Sequence, residues 1–518
     1  MKNVLKTDEL TAENAALKNR IFQLESLVKY YEEQFRLAKH RQFGAKSEKS
    51  EYLEGQLTLF NEAEATAAVS VAEPELVEIE KHYRKRKRAV GDNLPDGFPV
   101  ERVEYTLPEQ EQFCSECESV LHVMGRESRR ELKIIPAQVK VIEHISHVYA
   151  CRNCEKTNDH TPIVKAAMPE PVIKGSFASA EAVAHIMVQK YVMGVPLYRQ
   201  EQEWNRIGIM LSRQTMSNWL LRCAEDWLMP LYERLRVKLL EHDVLHSDET
   251  TLQVLHEPGK KAQSNSSMWL YRTSGESDTP IVLYDYQPDK TAARPKEFLK
   301  DFKGYLHTDG YEGYHNLSDD ITVVGCWAHA RRKFSDALRG LSKEQQKGSA
   351  AEVGLRHCDA LFTEEKKYAE YTSEKRHEMR IEHSLPLAEE FLLWAKSADA
   401  LPKTLIGKAV SYLAEQWRYL KNVYLDGRLE LSNNRAERSI KPFVIGRKNS
   451  LFANTPQGAK ASAVIYSVIE TAKENNLKPF EYLVFLFEKM PDTTTSSVDD
   501  LFPWSPNIPG SCRIPEKT

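Results

Sequence analysis

The apolar positions of this chain change period several times along its length, and each change marks a different element. Between residues 10 and 35 they recur every seven. Leu10, Leu17, Leu24 and Tyr31 form one series, and Asn14, Ile21, Val28 and Phe35 form the complementary one. Two interleaved series of this kind make the seam of a coiled coil, and an asparagine in the seam fixes a parallel two-stranded register. The flanking charges agree, since Glu13 would face Lys18 of a second copy and Arg20 would face Glu25. The alternative is an amphipathic helix packed on its own chain.

After Gly44 the pattern is lost. Residues 61–80 are rich in Ala and Glu and read as a linker, and "KHYRKRKR" at 81–88 follows. Lys81, Arg84, Lys85, Arg86, Lys87 and Arg88 make that run either a solvated tether or a phosphate-binding arm. Short strand-like runs such as "KVIEHISHVYAC" then occupy residues 100–165, where two Cys-x-x-Cys pairs stand: Cys114 with Cys117, and Cys151 with Cys154. Zinc takes four soft ligands in a tetrahedron, and two such knuckles around a hairpin-sized stretch predict a zinc ribbon with a structural Zn²⁺. His122, His144 and His147 are nearby, but four thiolates already fill the shell.

Residues 178–230 return to a helical period. One helix is predicted from Leu197 to Arg206, then a turn at Ile207-Gly208-Ile209, then a second helix capped by Ser212. This rhythm is that of a helix-turn-helix, whose second helix would present Arg213, Gln214, Ser217 and Asn218 while Leu220 and Leu221 pack inward. Helical hairpins without DNA contacts share the pattern.

The next stretch is strand-like: "VLHSDETTLQVL" (244–255), "SMWLYRT" (267–273) and "PIVLYDY" (280–286). A short helix "RPKEFLKDF" is followed by a strand in "GYLHTDGYEGYH" that ends at Asp309 and turns at Gly310. A fifth strand, "ITVVGCW" (321–327), runs into the helix "AHARRKFSDAL". Three strands, a helix, a strand and another strand predict an α/β unit around a mixed sheet, the order of ribonuclease-H-like folds. Asp248 stands in the middle of the first strand, where an unpaired charge is costly, and Glu249 would point to the opposite face. Asp248 and Asp309 are candidate metal ligands. Residues 336–430 look like a helical insertion. The helix in "LSNNRAERSIKPF" is capped by Ser432 or Asn433 and limited by Pro442, with Asn434, Glu437 and Lys441 on one face. Glu437 is the third candidate ligand. Clustered carboxylates suit two hard divalent cations about 4 Å apart, which activate the nucleophile and stabilise the leaving oxygen in phosphodiester cleavage.

Composition narrows the picture. A chain of 518 residues exceeds one core and predicts several domains. A net charge of −4 argues against a uniformly basic nucleic-acid binder and leaves that role to local runs. Eight cysteines in so long a chain do not make a disulfide scaffold. No run approaches a membrane span of roughly 18 apolar residues, and the first residues lack a signal-peptide core. The expectation is a cytoplasmic protein with no membrane partner.

The chain resembles the DDE transposases of bacterial insertion sequences, most closely the insertion sequence 66 family. The resemblance rests on "RQFGAKSEK", the two cysteine knuckles, "HSDETTLQVL", "LHTDGYEGYH", "CWAHARRKF" and "SNNRAERSIKPFVIGRKNSLFANTPQGA", with a short tail element in "DLFPWSP". It implies Asp248, Asp309 and Glu437 as a catalytic triad that uses Mg²⁺ (or Mn²⁺) to cut element ends and join them to target DNA. It also implies phosphate contacts from Arg438 and Lys441, end recognition by the zinc ribbon and helix-turn-helix, a synaptic homo-oligomer through the coiled coil, and small accessory proteins as partners. Arg331, Arg332 and His329 are candidates for the neighbourhood of DNA or the active site, and Arg447 and Lys448 for phosphate contact. Cys326 and His329 have half of a metal site's spacing, without a second pair in the sequence. Trp327, Phe334 and "FEYLVFLF" read as core. Two other functions fit the same motifs: a catalytically inactive DNA-binding regulator, and a metal nuclease without strand transfer.

The predicted architecture is therefore multidomain α/β. It comprises a coiled-coil helix (1–45), a linker with the basic run (46–99), a zinc ribbon (100–165) and a helix-turn-helix region (170–235). A ribonuclease-H-like catalytic domain follows in two parts (240–335 and 431–490) around a helical insertion (336–430), and a tail (491–518) ends the chain.

Overall fold

The structure is a computed structural model that describes residues 138–150, 163–450, 453–492 and 495–515, with helical residues between 14 and 37. Cys114, Cys117, Cys151 and Cys154, His122, the linker and the basic run lie outside the described residues. The chain divides into two units, residues 1–50 with 169–514 and residues 51–168 with 515–518. In the second unit β1 (Val148–Ala150) pairs antiparallel with β2 (Ile163–Lys165), with Tyr149 opposite Val164.

The first unit is mixed α/β. Its sheet comprises β3 (Val244–Gln253), β4 (Asn265–Thr273), β5 (Val282–Gln287), β6 (Gly304–Thr308) and β7 (Ile321–Gly325), in the order β5-β4-β3-β6-β7. β4 runs antiparallel to both neighbours, whereas β3, β6 and β7 are parallel. Met268, Trp269, Leu270 and Tyr271 of β4 are all buried, as expected of a strand covered on both faces. The strands fall where the apolar runs place them, with one shift at the end of β7. Cys326 leaves the strand and Trp327 already begins a helix.

The α-helices of this unit longer than one turn are α1 (Ala180–Tyr191), α2 (Leu197–Arg206), α3 (Arg213–Cys223), α4 (Met229–Leu240), α5 (Ala293–Phe298) and α6 (Trp327–Arg339). Next come α7 (Ala350–Lys367), α8 (Ser373–Met379), α9 (Leu385–Ser397) and α10 (Leu405–Leu420). The last three are α11 (Asn434–Ser450), α12 (Pro456–Glu474) and α13 (Pro479–Lys489). One core joins the sheet to α1–α4 and α11–α13. A second is built on Trp327, Phe334, Phe391, Leu413 and Leu420 together with Val244 and Val324 of the sheet, so the helices between β7 and α11 pack among themselves and onto β3 and β7. The edge strand β5 is closed by α12. Ser467 Oγ accepts from Tyr284 N at 2.8 Å and Thr471 Oγ1 from Val282 N at 3.0 Å, which occupies donors that an open edge would offer to another strand.

Pro442 does not limit its helix, since α11 continues through it to Ser450. A proline removes one backbone donor. Here burial of Ile440 and Phe443, on either side of Pro442, holds the helix to the core in spite of that loss.

The N-terminal helix settles on the helical part through residues outside its heptad seam, and the seam residues Ile21, Leu24 and Val28 line an open groove with Leu341 and Gln345. Glu33 and Leu37 are buried, and Glu33 Oε2 accepts from Leu405 N at 3.0 Å, capping the first turn of α10. The seam residues Leu17, Ile21, Leu24, Val28, Tyr31 and Phe35 remain exposed. Among the described residues no helix is long and apolar enough to cross a membrane.

Candidate active site

The parallel pairing of β3 with β6 aligns two nearly identical tetrads. Leu245-His246-Ser247-Asp248 lies beside Leu306-His307-Thr308-Asp309, with Leu245 opposite Leu306 and His246 opposite His307. In-register repetition stacks the two imidazoles, 4.3 Å between centroids and 11° between planes. It also carries the two aspartates to equivalent places just past the last paired residues. Gly310 makes the turn after Asp309 with φ of +92°, and a Cβ there would come within 2.9 Å of Tyr412 Oη. Asp309 Oδ1 accepts from Tyr311 N at 2.9 Å, and its carbonyl accepts from Tyr412 Oη at 3.1 Å.

Glu437 comes from α11, close enough for its charge to be felt at Asp248. Asn433, the residue before that helix, is fully buried and bonds in four directions. Its Oδ1 meets His246 Nδ1 at 2.9 Å, and its Nδ2 donates to Ser247 O at 2.7 Å. Its N–H donates to Cys326 Sγ at 3.1 Å, and its carbonyl accepts from Glu437 N at 3.2 Å. The start of α11 is thereby fastened to β3 directly beside Asp248.

Electrostatics tie the acids together. Burial pushes the Asp248 carboxyl well above the usual carboxylate range, and the charges of Glu249, Asp309 and Glu437 add to that shift. Glu249 does point the other way, as alternation requires, but its side chain is only 2% exposed. It pairs with Lys290 Nζ at 2.7 Å and accepts from Tyr314 Oη at 2.8 Å. Its own carboxyl is raised by burial and by Asp309, with Lys290 opposing. Burial lowers His246 to about 3 and His307 well below its usual range, so the stacked pair is neutral.

On the rim, Arg332 Nη2 donates to Glu437 Oε2 at 3.3 Å and His329 Nδ1 lies 3.6 Å from Glu437 Oε1. Sequence spacing offered only Cys326 and His329 as half a metal site, and the fold supplies Glu437 as a third group. One ligand atom from each lies within 4.8 Å of the others. Burial pushes the Cys326 thiol up to about 11.

The remaining candidates are dispersed. Arg213, Gln214 and Asn218 are exposed on α3 and Ser217 is half-buried, while Met216, Trp219 and Leu220 face the core and Leu221 is only partly buried. Gln214 Nε2 donates to Asn218 Oδ1 at 3.1 Å, and Arg213 N to Glu201 Oε1 at 2.9 Å. Arg331 pairs with Asp359 at 2.6 Å. Arg447 turns back onto β3, donating to Thr250 Oγ1 at 3.3 Å and to the Thr251 carbonyl. Arg438 and Lys448 are exposed and Lys441 is half-buried. Motif reading passed over Asn433 as anything more than one of two caps, and over His246, His307 and Lys290. The repeated Leu-His-Ser/Thr-Asp tetrad was the available signal for the histidines.

The family model described as "Transposase IS66 family" matches residues 175–461, which hold the sheet and all three acids. A model for the zinc-finger binding domain of transposase IS66 matches residues 111–155, around the cysteine pairs. One described as "Transposase C of IS166 homeodomain" matches 30–103, and the "IS66 C-terminal element" matches 467–504. Relatives include the uncharacterized protein y4jD of Sinorhizobium fredii, 30% identical over 80% of this chain and 81% of its own. The uncharacterized protein y4qI of the same organism is 29% identical over 86% of this chain and 84% of its own.

Proposed function

The chain belongs to the transposase IS66 family, and from that premise we propose that it cuts DNA at the ends of an insertion sequence and joins the freed 3′ ends to target DNA. The membership itself carries a transposase role with DNA-binding and zinc-binding domains. The finer reading assigns Asp248, Asp309 and Glu437 to catalysis, on a fold we take as ribonuclease-H-like from its strand order. The observation that supports it is the gathering of like charge around Asp248, a buried carboxyl surrounded by three further carboxylates. Glu249 and Glu437 have cationic partners in Lys290 and Arg332, but among the described residues no ion pair is found for Asp248, and a buried acid among like charges marks a functional site.

The donors suit hard divalent cations. They are carboxylates, and Glu437 Oε1 is buried with no hydrogen-bond partner. Mg²⁺ or Mn²⁺ held there would supply Lewis acidity to the entering and leaving oxygens of a phosphodiester. The chain's own residues do the positioning. Asn433 fixes α11 against β3, Gly310 and Tyr412 set the Asp309 turn, and Lys290 holds Glu249 on the opposite face. Arg332 stands at the rim, where it can meet a phosphate oxygen. The exposed side of α3 and the zinc ribbon would read DNA, with Arg438 and Lys448 on open surface for phosphate. The exposed heptad seam would join two copies so that two ends are held together. Arg331 and Arg447 act within the protein through Asp359 and β3.

The test uses the full chain with labelled DNA carrying the element's ends, in Mg²⁺ and in Mn²⁺. Nicking and strand transfer are scored separately in wild type, Asp248→Asn, Asp309→Asn and Glu437→Gln. Loss of both steps in all three variants, with end binding retained, is the expected result. Cleavage without joining would make the protein a nuclease, and binding without either would make it a regulator.

A further inference from the structure

We propose that Cys326, His329 and Glu437 form a second, softer metal site, selective for Zn²⁺, that shares Glu437 with the hard-cation set. Its role as a switch on catalysis rests on the assignment of Glu437 above; the site itself does not. Cys326 is the residue before α6, and His329 follows three positions later on the first turn, so both side chains lie toward the start of one helix. Glu437 arrives from the first turn of α11, and the three ligand atoms fall within 4.8 Å of one another. His329 Nδ1 and Glu437 Oε1 are each buried, lack a hydrogen-bond partner and face each other at 3.6 Å.

The chemistry of the set selects its ion. One thiolate, one imidazole and one carboxylate are the three donor types that Zn²⁺ accepts, and three protein ligands leave a fourth position for water. Mg²⁺ avoids sulfur and demands oxygen. The N-terminus of α6 favours negative charge on the sulfur, and the Asn433 N–H at 3.1 Å gives the thiolate a supporting donor. A coordinating cation displaces the thiol proton to solvent. Arg332 contacts the other Glu437 oxygen, Oε2, which leaves Oε1 to the ion. Binding at Nδ1 puts the imidazole proton on Nε2, so the 3.4 Å contact of Arg332 Nη1 with that atom is given up.

Glu437 cannot serve both sites with the same oxygen. Zinc at Cys326 and His329 draws the carboxylate toward α6 and away from Asp248 and Asp309. Micromolar Zn²⁺ should therefore inhibit Mg²⁺-dependent cleavage, and the inhibition should depend on a cysteine that touches no hard cation.

The experiment loads the full chain with Zn²⁺, removes loose ions by gel filtration and counts zinc per chain by atomic emission. Wild type is compared with Cys326→Ser and His329→Gln. Wild type should hold one equivalent more than either variant, the ribbon's own zinc being common to all. With Co²⁺ as probe, the wild-type spectrum should carry an extra sulfur-to-metal charge-transfer band that Cys326→Ser lacks. Zinc inhibition of nicking, relative to each variant's own rate, should need about tenfold more Zn²⁺ in both variants. Equal zinc content in all three proteins overturns the site. Cys326 is buried, so if its variant does not fold, His329→Gln at the rim decides the count alone. The count needs no DNA chemistry. A chain that cuts no DNA but loses one equivalent in the variants keeps this site and removes the proposed catalysis.

Discussion

Arg380 and Asp248 are both charged groups taken out of water within the same unit, yet their surroundings are opposite. Arg380 is 1% exposed and every nitrogen has a partner. Nε and Nη2 bind the two oxygens of Glu365, Nη2 also donates to Leu429 O at 2.7 Å, and Nη1 reaches Asp426 O at 3.2 Å. This ties α7 and the start of the segment after α8 to the loop that leads into α11. Around Asp248 the neighbouring charges are carboxylates; among the described residues its Oδ1 accepts only from the Glu249 backbone N–H, at 2.8 Å, and Glu437 Oε1 and His329 Nδ1 are buried without a hydrogen-bond partner. The helical part shows that this chain can satisfy a buried charge completely. Where it does not, the missing partner is expected to come from outside the chain.

The comparison can be broken at either end. Asp248→Asn should lower cleavage by about 10³-fold or more, roughly 4 kcal/mol of transition-state stabilisation, in a single-turnover nicking assay. Retention of wild-type nicking would move the acid out of the site. Arg380→Met should cost about 3–5 kcal/mol in urea unfolding, because it strands Glu365 and several carbonyls. Asn433→Ala should cost about 2 kcal/mol of stability by leaving buried polar groups unpaired. It should also reduce cleavage beyond what its folded fraction explains, since α11 would lose its pin on β3.

A smaller effect sharpens the contrast through pH. His246 is held neutral, with its folded value near 3, far below the ordinary histidine value near 6.5. Its stability contribution is complete above pH about 6.5 and falls as pH drops toward about 3, by up to roughly 1.4 kcal/mol per unit. His246→Phe should flatten the stability–pH curve across that window by about one proton. Asp248 has the opposite sign, because its folded value is raised and ionisation destabilises the fold as pH rises. That contribution is common to both proteins and cancels in their difference. The smallest effect is the most diagnostic. Without metal, Asp248→Asn should raise stability at neutral pH by about 1 kcal/mol, since a neutral isostere replaces a carboxylate crowded by like charge. A loss would mean the carboxylate has a structural partner.

The two regions were unequally legible in the sequence. The strands could be read because β4 and β5 carry apolar and aromatic runs and β3 has apolar ends with β-branched residues between them, and an acid inside such a strand stands out. Glu437 could be picked from its place on the helix after the insertion and from motif resemblance, but no local pattern shows what fastens that helix to β3. What places it is Asn433, whose bonds to His246, Ser247 and Cys326 join three distant segments. The Arg380 network was illegible for the same reason, since its partners range from Glu365 to Leu429 and most are backbone carbonyls, which carry no sequence signal. Pro442 misled because proline's cost is local, whereas the burial of Ile440 and Phe443 that outweighs it is tertiary. The N-terminal helix carried two messages. The heptad marked a candidate seam, whose residues are exposed, and Glu33 and Leu37, outside it, are buried where the helix meets its own chain.

The helices between β7 and α11 also set a clock. During synthesis Asp248 and Asp309 leave the ribosome early, but Glu437 and its pin Asn433 follow only after the whole helical part has been made. At about 5–20 residues per second that delay is on the order of ten seconds. A nascent or truncated chain would carry two of the proposed ligands without the third, so under that assignment the cation site closes only once the chain is nearly complete.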